Sequence, residues 1–208
     1  MSPIRPGKIV CIGRNYPAHA KEMGNEVPPV PMLFFKPSSA LIGPGEAIRL
    51  PSASSRVEFE AEIGVVIGRR LRDADLEASE RGIGGYVCVN DVTARDLQKV
   101  DGQWGRAKGF DTFCPVGPAV RNGLDWHDLE VICRVNGAER QRARATEMHF
   151  SIPSLVSFIS GIMTLEPGDL IATGTPAGTA PLHDGDVVEV EIPGVGILSN
   201  PVRNGHQA

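Results

Sequence analysis

The sequence predicts a β-rich fold of the α+β class, with short strands and a few short helices. The 208 residues include 24 glycines and 17 prolines, a content that indicates many turns between short segments. Apolar runs rich in Val and Ile recur along the chain and end at Gly or Asn, as strands often do. Segments with helical features are short and lie between these runs. A chain of this length is expected to form one domain with a substantial core.

The composition is that of a globular protein without a strongly charged surface. Hydrophobic residues make up 41% of the chain and charged residues 22%, and the formal net charge is -4. This balance argues against binding to nucleic acid or to an anionic membrane, because both require a basic surface. A small acidic substrate is compatible with it, since a metal ion and nearby cationic side chains can reverse the sign of one pocket.

The four cysteines indicate a reducing compartment. Cys11, Cys88, Cys114 and Cys133 each lie in or beside an apolar run, and no two are close in sequence. We interpret them as reduced core residues, not as a disulfide framework or a zinc site.

No apolar run approaches the roughly 20 residues of a membrane span, and residues 1–7 lack the apolar core of a signal peptide. A cytoplasmic protein is therefore expected.

The first strand and the first helix are predicted near the N-terminus. Residues 8–13 form a short apolar strand that ends at a glycine. In the short helix that follows, Asn15 is a suitable cap, Pro17 suits the first turn and Gly24 suits the end.

His19 and Glu22 lie three residues apart on this helix and therefore face the same direction. A carboxylate beside an imidazole orients the ring and raises its basicity, which suits a general base acting on water. The alternative is an exposed pair that only stabilises the helix, and the spacing alone leaves both open. Residues 15–31 carry few large apolar side chains before Val27, so they are predicted to form a mobile lid.

A linker, a strand and a hairpin are predicted next. Residues 28–31 are Pro-rich and indicate a rigid extended linker, and residues 32–36 indicate a strand. Lys36 at the end of that strand either meets a carboxylate or is solvated, as such lysines commonly are. The segments 41–45 and 47–51 have the pattern of a hairpin.

An acidic stretch that runs into an apolar strand is the feature on which the functional interpretation depends. Side chains alternate faces along a strand, so Glu58, Glu60 and Glu62 are expected on one face. Three carboxylates in a row repel one another, and burying them costs free energy unless a partner neutralises them. A divalent cation removes both costs, and oxygen-only ligands favour Mg²⁺ or Mn²⁺ over zinc. The alternative is an edge strand with a solvated acidic face.

Further candidate residues follow the next predicted strand, residues 84–90. At its end, Asp91 is either a third oxygen ligand or the N-cap of a helix. Arg95 and Gln98 lie on the turn after it. Lys108 belongs to a Gly-rich irregular segment, where its ammonium group either faces an anion or lies on the surface.

The C-terminal half predicts hairpins around one helix. Residues 129–137 form a strand that ends in an Asn-Gly turn, a strong hairpin signal. A helix begins at Ser151 or Ser154, and the segment 165–178 contains a turn, a strand and a loop of small residues. The alternating strand over 187–192 is expected to have a solvated acidic face.

Five motifs together resemble the fumarylacetoacetate hydrolase family, and most closely its short single-domain branch of acylpyruvases and oxaloacetate decarboxylases. The motifs are Gly13-Arg14-Asn15-Tyr16 with His19 and Glu22, Glu60-Ala61-Glu62-Ile63-Gly64-Val65-Val66-Ile67-Gly68, Asp91-Val92-Thr93-Ala94-Arg95-Asp96, Lys108-Gly109-Phe110 with Cys114-Pro115-Val116-Gly117, and Thr173-Gly174-Thr175-Pro176-Ala177-Gly178. Each motif is weak by itself, whereas all of them in this order and spacing are specific. The resemblance extends from about Lys8 to Val202.

The resemblance implies a mixed β-sandwich roll, a homodimer and one Mg²⁺ or Mn²⁺ per site. It also implies a role for each matching residue, and it leaves Glu58 outside the set of metal ligands. The implied metal ligands are Glu60, Glu62 and Asp91, the water-activating pair is His19 and Glu22, the catalytic lysine is Lys108, and the substrate contacts are Arg95, Gln98 and Thr175.

The implied substrate is a small anionic 2-oxo acid, and the favoured reaction is hydrolysis of an acylpyruvate such as fumarylpyruvate to pyruvate and a carboxylic acid. Decarboxylation of oxaloacetate and keto–enol isomerisation of a 2-oxo acid form the same enolate, so both are alternatives. An alternative of a different class is a non-catalytic protein that binds the metal and a 2-oxo acid.

Overall fold

The computed structural model describes residues 4–205, so Met1–Pro3 of the N-terminal stretch lie outside the described residues. The described strands are β1 (Ile9–Gly13), β2 (Met32–Lys36), β3 (Leu41–Ile42), β4 (Ile48–Leu50), β5 (Val57–Glu58), β6 (Ala61–Ile67), β7 (Ile83–Asn90), β8 (Thr93–Ala94), β9 (Cys114–Arg121), β10 (Glu130–Val135), β11 (Ala138–Arg144), β12 (Leu170–Ala172), β13 (Val187–Ile192) and β14 (Gly196–Asn204). The described helices are α1 (Pro17–Glu22), α2 (Leu76–Gly82), α3 (Arg95–Asp101), α4 (Gly105–Gly109) and α5 (Ile152–Ile162).

Two curled sheets pack face to face, which confirms the predicted mixed β-sandwich roll. The larger sheet has the strand order β2-β1-β12-β6-β7-β9-β3, and the smaller has the order β11-β10-β13-β14-β4. Three strand pairs are parallel, namely β1 with β12, β3 with β9, and β4 with β14. Strands β10 and β13 of the smaller sheet pack on β6 and β7 of the larger one.

Strand β6 is buried on both faces, and its side chains serve two different purposes. Ile63, Val65 and Ile67 point into the main hydrophobic core between the sheets. Side chains alternate along a strand, so Glu62 and Val66 face the other side, and Val66 packs there with the smaller cluster of apolar residues. The buried apolar half of the acidic strand is therefore as predicted.

The acidic stretch differs from prediction because it is not one continuous strand. Phe59 and Glu60 interrupt it, since β5 pairs with β8 in a small separate sheet while β6 pairs with β7. The predicted hairpin over 41–51 is also wrong: β3 pairs with β9 and β4 pairs with β14, both in parallel.

The helix caps follow the sequence at α5 but not at α1. Ser151 caps α5 and accepts a hydrogen bond from the Ser154 amide. Of the two predicted helix starts, Ser151 and Ser154, the first is therefore correct. At α1 the N-cap is Tyr16, with Pro17 in the first turn, and the Asn15 side chain makes long-range contacts instead.

The Asn136-Gly137 turn between β10 and β11 has positive φ at both residues, which confirms the predicted hairpin.

All four cysteines are free and buried, in agreement with the prediction of reduced core residues. Within residues 4–205, no helix is long and apolar enough to cross a membrane.

Candidate active site

Three carboxylates converge where β6 begins and β7 ends. Because β6 and β7 are antiparallel and Ala61 pairs with Asn90, the residues around these ends lie next to each other. Carboxylate oxygens of Glu60, Glu62 and Asp91 lie within 4.8 Å of one another, and all three residues are buried. These are the three residues that the family resemblance implies as metal ligands, whereas strand alternation alone included Glu58.

Hydrogen bonds of the backbone amides hold the start of β6 against the end of β7. The Glu60 amide donates to Asn90 Oδ1 at 3.0 Å, and the Asp91 amide donates to the Glu60 carbonyl at 2.8 Å. Helix α3 begins only at Arg95, with Ala94 as its N-cap residue and no side-chain cap. Of the two alternatives for Asp91, the structure therefore places it in the carboxylate cluster and not at a helix cap.

Buried cations surround the cluster. The Lys108 ammonium donates to Glu60 Oε2 at 2.7 Å and to Asp91 Oδ2 at 2.6 Å. Lys36 Nζ lies 2.8 Å from Asp91 Oδ1 and donates to the Val92 carbonyl. Both lysines are buried. The alternative that either of them is a solvated surface residue is therefore wrong.

The pKa values of the two glutamates shift in opposite directions. Burial opposes ionisation of Glu60, but the charges of Lys108 and Arg95 outweigh it and lower the pKa of its carboxyl group. Burial raises the pKa of Glu62, and the charges of Asp91 and Glu60 raise it further. The Gly174 amide donates to Glu62 Oε2 at 2.8 Å. Glu62 is thus the carboxylate that most needs an added cation.

The donor set fits a hard divalent cation. Within the described residues the buried cluster holds four carboxylates and three cations, so its formal charge is -1 when all are ionised. The carboxylates are Glu58, Glu60, Glu62 and Asp91, and the cations are Lys36, Arg95 and Lys108. All-oxygen ligands suit Mg²⁺ or Mn²⁺, and a divalent ion would make the site positive and attractive to an anionic substrate.

Glu58, which the family resemblance leaves outside the set of metal ligands, contacts Arg95 instead. It is buried, and Arg95 Nε donates to its Oε2 at 2.8 Å. The other arm of the same guanidinium donates to Glu60 Oε1 at 2.6 Å, and a third contact reaches Gln98 Oε1 at 2.6 Å. Arg56 also donates to Glu58, at 2.7 Å. Glu58 therefore orients Arg95 from outside the carboxylate triad.

We expect Glu58→Gln to lower stability and leave Mn²⁺ affinity close to that of the parent. The amide removes the charge that balances a buried guanidinium, which costs about 1–3 kcal/mol. Chemical denaturation measures the first effect and calorimetric titration with Mn²⁺ the second. A loss of Mn²⁺ affinity as large as that of Glu62→Gln would instead make Glu58 a metal ligand.

His19 and Glu22 form a pair in which the imidazole is buried and the carboxylate is partly exposed. His19 is only 6% exposed, and its Nδ1 lies 3.1 Å from Glu22 Oε2. The Gly178 amide donates to Glu22 Oε1 at 3.0 Å and so holds the carboxylate from the opposite loop. Gly178 has φ +105°, and a Cβ there would lie 2.1 Å from the Arg140 carbonyl, so only glycine fits.

Glu60 and Glu62 of the carboxylate cluster and His19 line one cavity of about 380 Å³. All nine predicted site residues except Glu22 and Asp91 line it. Phe34 and Trp104 form its apolar wall, with ring centroids 5.2 Å apart. The cavity therefore combines the charged side chains around Glu60 and Glu62, the imidazole of His19, and an apolar wall.

Thr175 is held in the cavity wall by Gln141, a residue that sequence reasoning missed. The Thr175 hydroxyl donates to the Ala61 carbonyl at 2.9 Å and accepts from Gln141 Nε2 at 2.8 Å. Gln141 also accepts from the Ala61 amide at 3.0 Å. It belongs to β11 of the other sheet, and a lone Gln in a charged strand carries no signal of this role.

Asn15 is the second missed residue. Its side-chain amide donates to the Thr173 carbonyl at 2.8 Å, and its Oδ1 accepts from the Phe150 amide at 2.9 Å. These contacts anchor the first residue of the predicted lid, residues 15–31, while 23–31 are partly or fully exposed. Motion of that segment stays a prediction.

Comparison with known proteins identifies relatives of nearly the whole chain. A family model described as fumarylacetoacetate (FAA) hydrolase C-terminal matches residues 8–203. A mitochondrial oxaloacetate decarboxylase from Dictyostelium discoideum is 42% identical over 195 residues, which is 90% of this chain and 89% of that protein. A mitochondrial oxaloacetate tautomerase from Xenopus laevis is 41% identical over 215 residues, covering 97% of this chain and 67% of that protein.

A solved structure is similar to this chain over nearly its whole length. The crystal structure of 5-carboxymethyl-2-hydroxymuconate delta-isomerase from Mycobacterium smegmatis superposes with a TM-score of 0.92 at 46% identity. The match covers 99% of this chain and 82% of that one. The similarity therefore extends from the motifs to the complete fold.

Proposed function

The chain belongs to the fumarylacetoacetate hydrolase family, and we propose that it acts on a small anionic 2-oxo acid by forming or consuming the enolate at C3. The favoured reaction is hydrolysis of an acylpyruvate to pyruvate and a carboxylic acid. The observation that carries this proposal is that His19, which contacts Glu22, lines the same cavity as Glu60 and Glu62 of the carboxylate triad.

The proposal includes one Mg²⁺ or Mn²⁺ held by Glu60, Glu62 and Asp91. When bound, such an ion supplies Lewis-acid polarisation of the 2-oxo oxygen and of the neighbouring carboxylate of the substrate. Arg95 and Lys108 add positive charge beside this position, since both are buried and touch Glu60. They would bind and orient the anionic head of the substrate.

The remaining residues account for the hydrolytic step. His19 takes a proton from water, and Glu22 orients the ring and stabilises the imidazolium that forms. The hydroxyl oxygen bonds to the distal carbonyl carbon, C4, and the bond between C3 and C4 then breaks. Its electron pair moves to C3 and forms the enolate of pyruvate, while the acyl group leaves as a carboxylic acid. The His19 imidazolium returns its proton to C3, which completes pyruvate and restores the neutral base, so one water is consumed for each bond cleaved.

The second candidate is enolisation or decarboxylation of oxaloacetate, which the names of two relatives favour. In enolisation, His19 would carry the proton to and from C3. In decarboxylation, the C3–C4 bond breaks with loss of CO₂ and gives the same enolate without an activated water. Both reactions therefore use the same anion-binding residues and differ in what they require of His19.

A substrate panel with added Mg²⁺ tests the proposal. Acylpyruvates should release pyruvate without CO₂, oxaloacetate decarboxylation should release both, and tautomerisation should change only the enol absorbance. Binding of Mg²⁺ and a 2-oxo acid without turnover of any substrate would contradict an enzymatic function. It would favour the alternative of a binding protein.

The homodimer that the family resemblance implies is also part of this proposal. Phe35 on β2 and Val100 on α3 are exposed large apolar side chains near the cavity, and contact with a second copy would bury such side chains. Light scattering of the purified chain tests it, and a monomer mass at micromolar concentration would contradict it.

A further inference from the structure

A cationic side chain outside the predicted set, Arg14, lines both the first cavity and a second one beside it. The second cavity has a volume of about 520 Å³. The two cavities share four lining residues, Arg14, Phe34, Gly102 and Trp104. The second cavity therefore lies next to the first, and Arg14 is on their shared boundary, whereas Glu60 and Glu62 of the triad line only the first.

Arg14 differs from the other buried or half-buried cations of the site in having no bonded partner. Arg95, Lys108 and Lys36 each form an ion pair with a carboxylate of the cluster. Within residues 4–205, by contrast, no hydrogen bond or ion pair joins the guanidinium of Arg14 to another residue. A half-buried guanidinium without an acceptor is poorly solvated and attracts an anion.

The backbone of Arg14 is held in an unfavourable conformation. Its φ is +58°, a region that residues other than glycine rarely adopt and that is concentrated at functional sites. The neighbours on either side maintain it. A Cβ on Gly13 would lie 2.9 Å from the Trp104 ring, and Asn15 is anchored to the Phe150 and Thr173 backbone.

We propose that Arg14 binds the distal carboxylate of a dicarboxylic 2-oxo acid and so selects dicarboxylic over monocarboxylic substrates. This inference rests on the proposed function, because it assumes that the 2-oxo acid head lies at the triad. The apolar wall of Phe34 and Trp104 would contact the carbon chain between the two ends. Guanidinium groups bind carboxylates in a bidentate manner, which provides both affinity and direction.

Binding of an unreactive matched pair tests the inference directly. 2-Oxoglutarate and 2-oxopentanoate differ only in a terminal carboxylate or methyl group. By calorimetry with saturating Mg²⁺, the parent should bind 2-oxoglutarate about tenfold or more tightly than 2-oxopentanoate. Arg14→Gln should abolish this preference, and Arg14→Lys, which retains the charge, should restore part of it. Circular dichroism checks that each variant is folded.

Two further variants define the outcome that would overturn the inference. Lys21→Gln removes a charge from the exposed side of the same segment and should leave the preference unchanged. Lys99 is an exposed lysine that also lines the first cavity. Equal binding of the two acids by the parent, or loss of the preference in Lys99→Gln but not in Arg14→Gln, would show that Arg14 is not the carboxylate-binding residue.

The catalytic arm uses fumarylpyruvate and crotonylpyruvate, which again differ in a terminal carboxylate or methyl group. Arg14→Gln should lower kcat/KM for the first about tenfold or more and leave the second nearly unchanged. An equal fall for both would contradict the inference. If the parent cleaves neither compound, the hydrolase proposal fails, and the binding preference still decides the role of Arg14.

Discussion

Replacing His19 by Ala should nearly abolish acylpyruvate cleavage while reducing oxaloacetate decarboxylation far less. Loss of a general base lowers the rate of a step that needs it by about 10²–10⁴-fold. Hydrolysis needs an activated water, and His19 is the buried base oriented by Glu22 beside the triad. Loss of CO₂ needs no such water, and the variant keeps Arg95 and Lys108 in place.

Steady-state assays of both reactions on the same variant provide the measurement. His183→Ala is the matched control, because His183 is exposed and does not line the cavity. Activities that fall by the same factor would show that His19 does not act as a dedicated water activator. The hydrolase proposal would then lose its main support, and enolisation at C3 would become the favoured function.

Replacing Glu62 by Gln should weaken Mn²⁺ binding and catalysis together. Glu62 offers a carboxylate oxygen to the triad, and even contacts to a ligand from outside the coordination shell are worth about 10–100-fold in metal affinity. A direct ligand should cost at least as much. Calorimetric titration with Mn²⁺ measures the affinity, and the panel of 2-oxo acids measures the activity.

The metal-free variant gives an independent readout. In EDTA, Glu62→Gln should unfold at the same temperature as the parent or higher, because the amide removes a buried charge that Asp91 and Glu60 repel. Glu189→Gln, on the partly exposed face of β13, serves as the matched control. Unchanged Mn²⁺ affinity in Glu62→Gln would contradict the assignment of the triad.

Local patterns in the sequence were sufficient for much of the fold. The Asn136-Gly137 hairpin, the Ser151 helix cap and the buried run that ends β6 each depend on neighbours in the chain, and all are confirmed. The same locality explains the failures. The segments flanking Gly45 have the pattern of a hairpin, yet β3 and β4 pair with strands far along the chain.

In the candidate site, too, the sequence predicted some features and only the structure showed others. Strand alternation and motif order placed Glu60, Glu62, Asp91, His19 and Glu22 in one proposed site, and the structure brings them around one cavity. The sequence by itself therefore determined which chemistry-bearing side chains to consider. It also determined the β-rich class, because glycine, proline and alternating apolar residues act through the local backbone.

Only the tertiary structure decided how the charges of the site are paired. Glu58 meets Arg95 across 37 positions, Lys36 contacts the Val92 carbonyl across 56, and Gln141 accepts from the Ala61 amide across 80. No periodicity of 2 or 3.6 residues extends over such separations. A buried charge must nevertheless find its partner wherever the sheets bring one close. The same holds for Arg14, whose guanidinium has no hydrogen-bonding or ion-pair partner among residues 4–205.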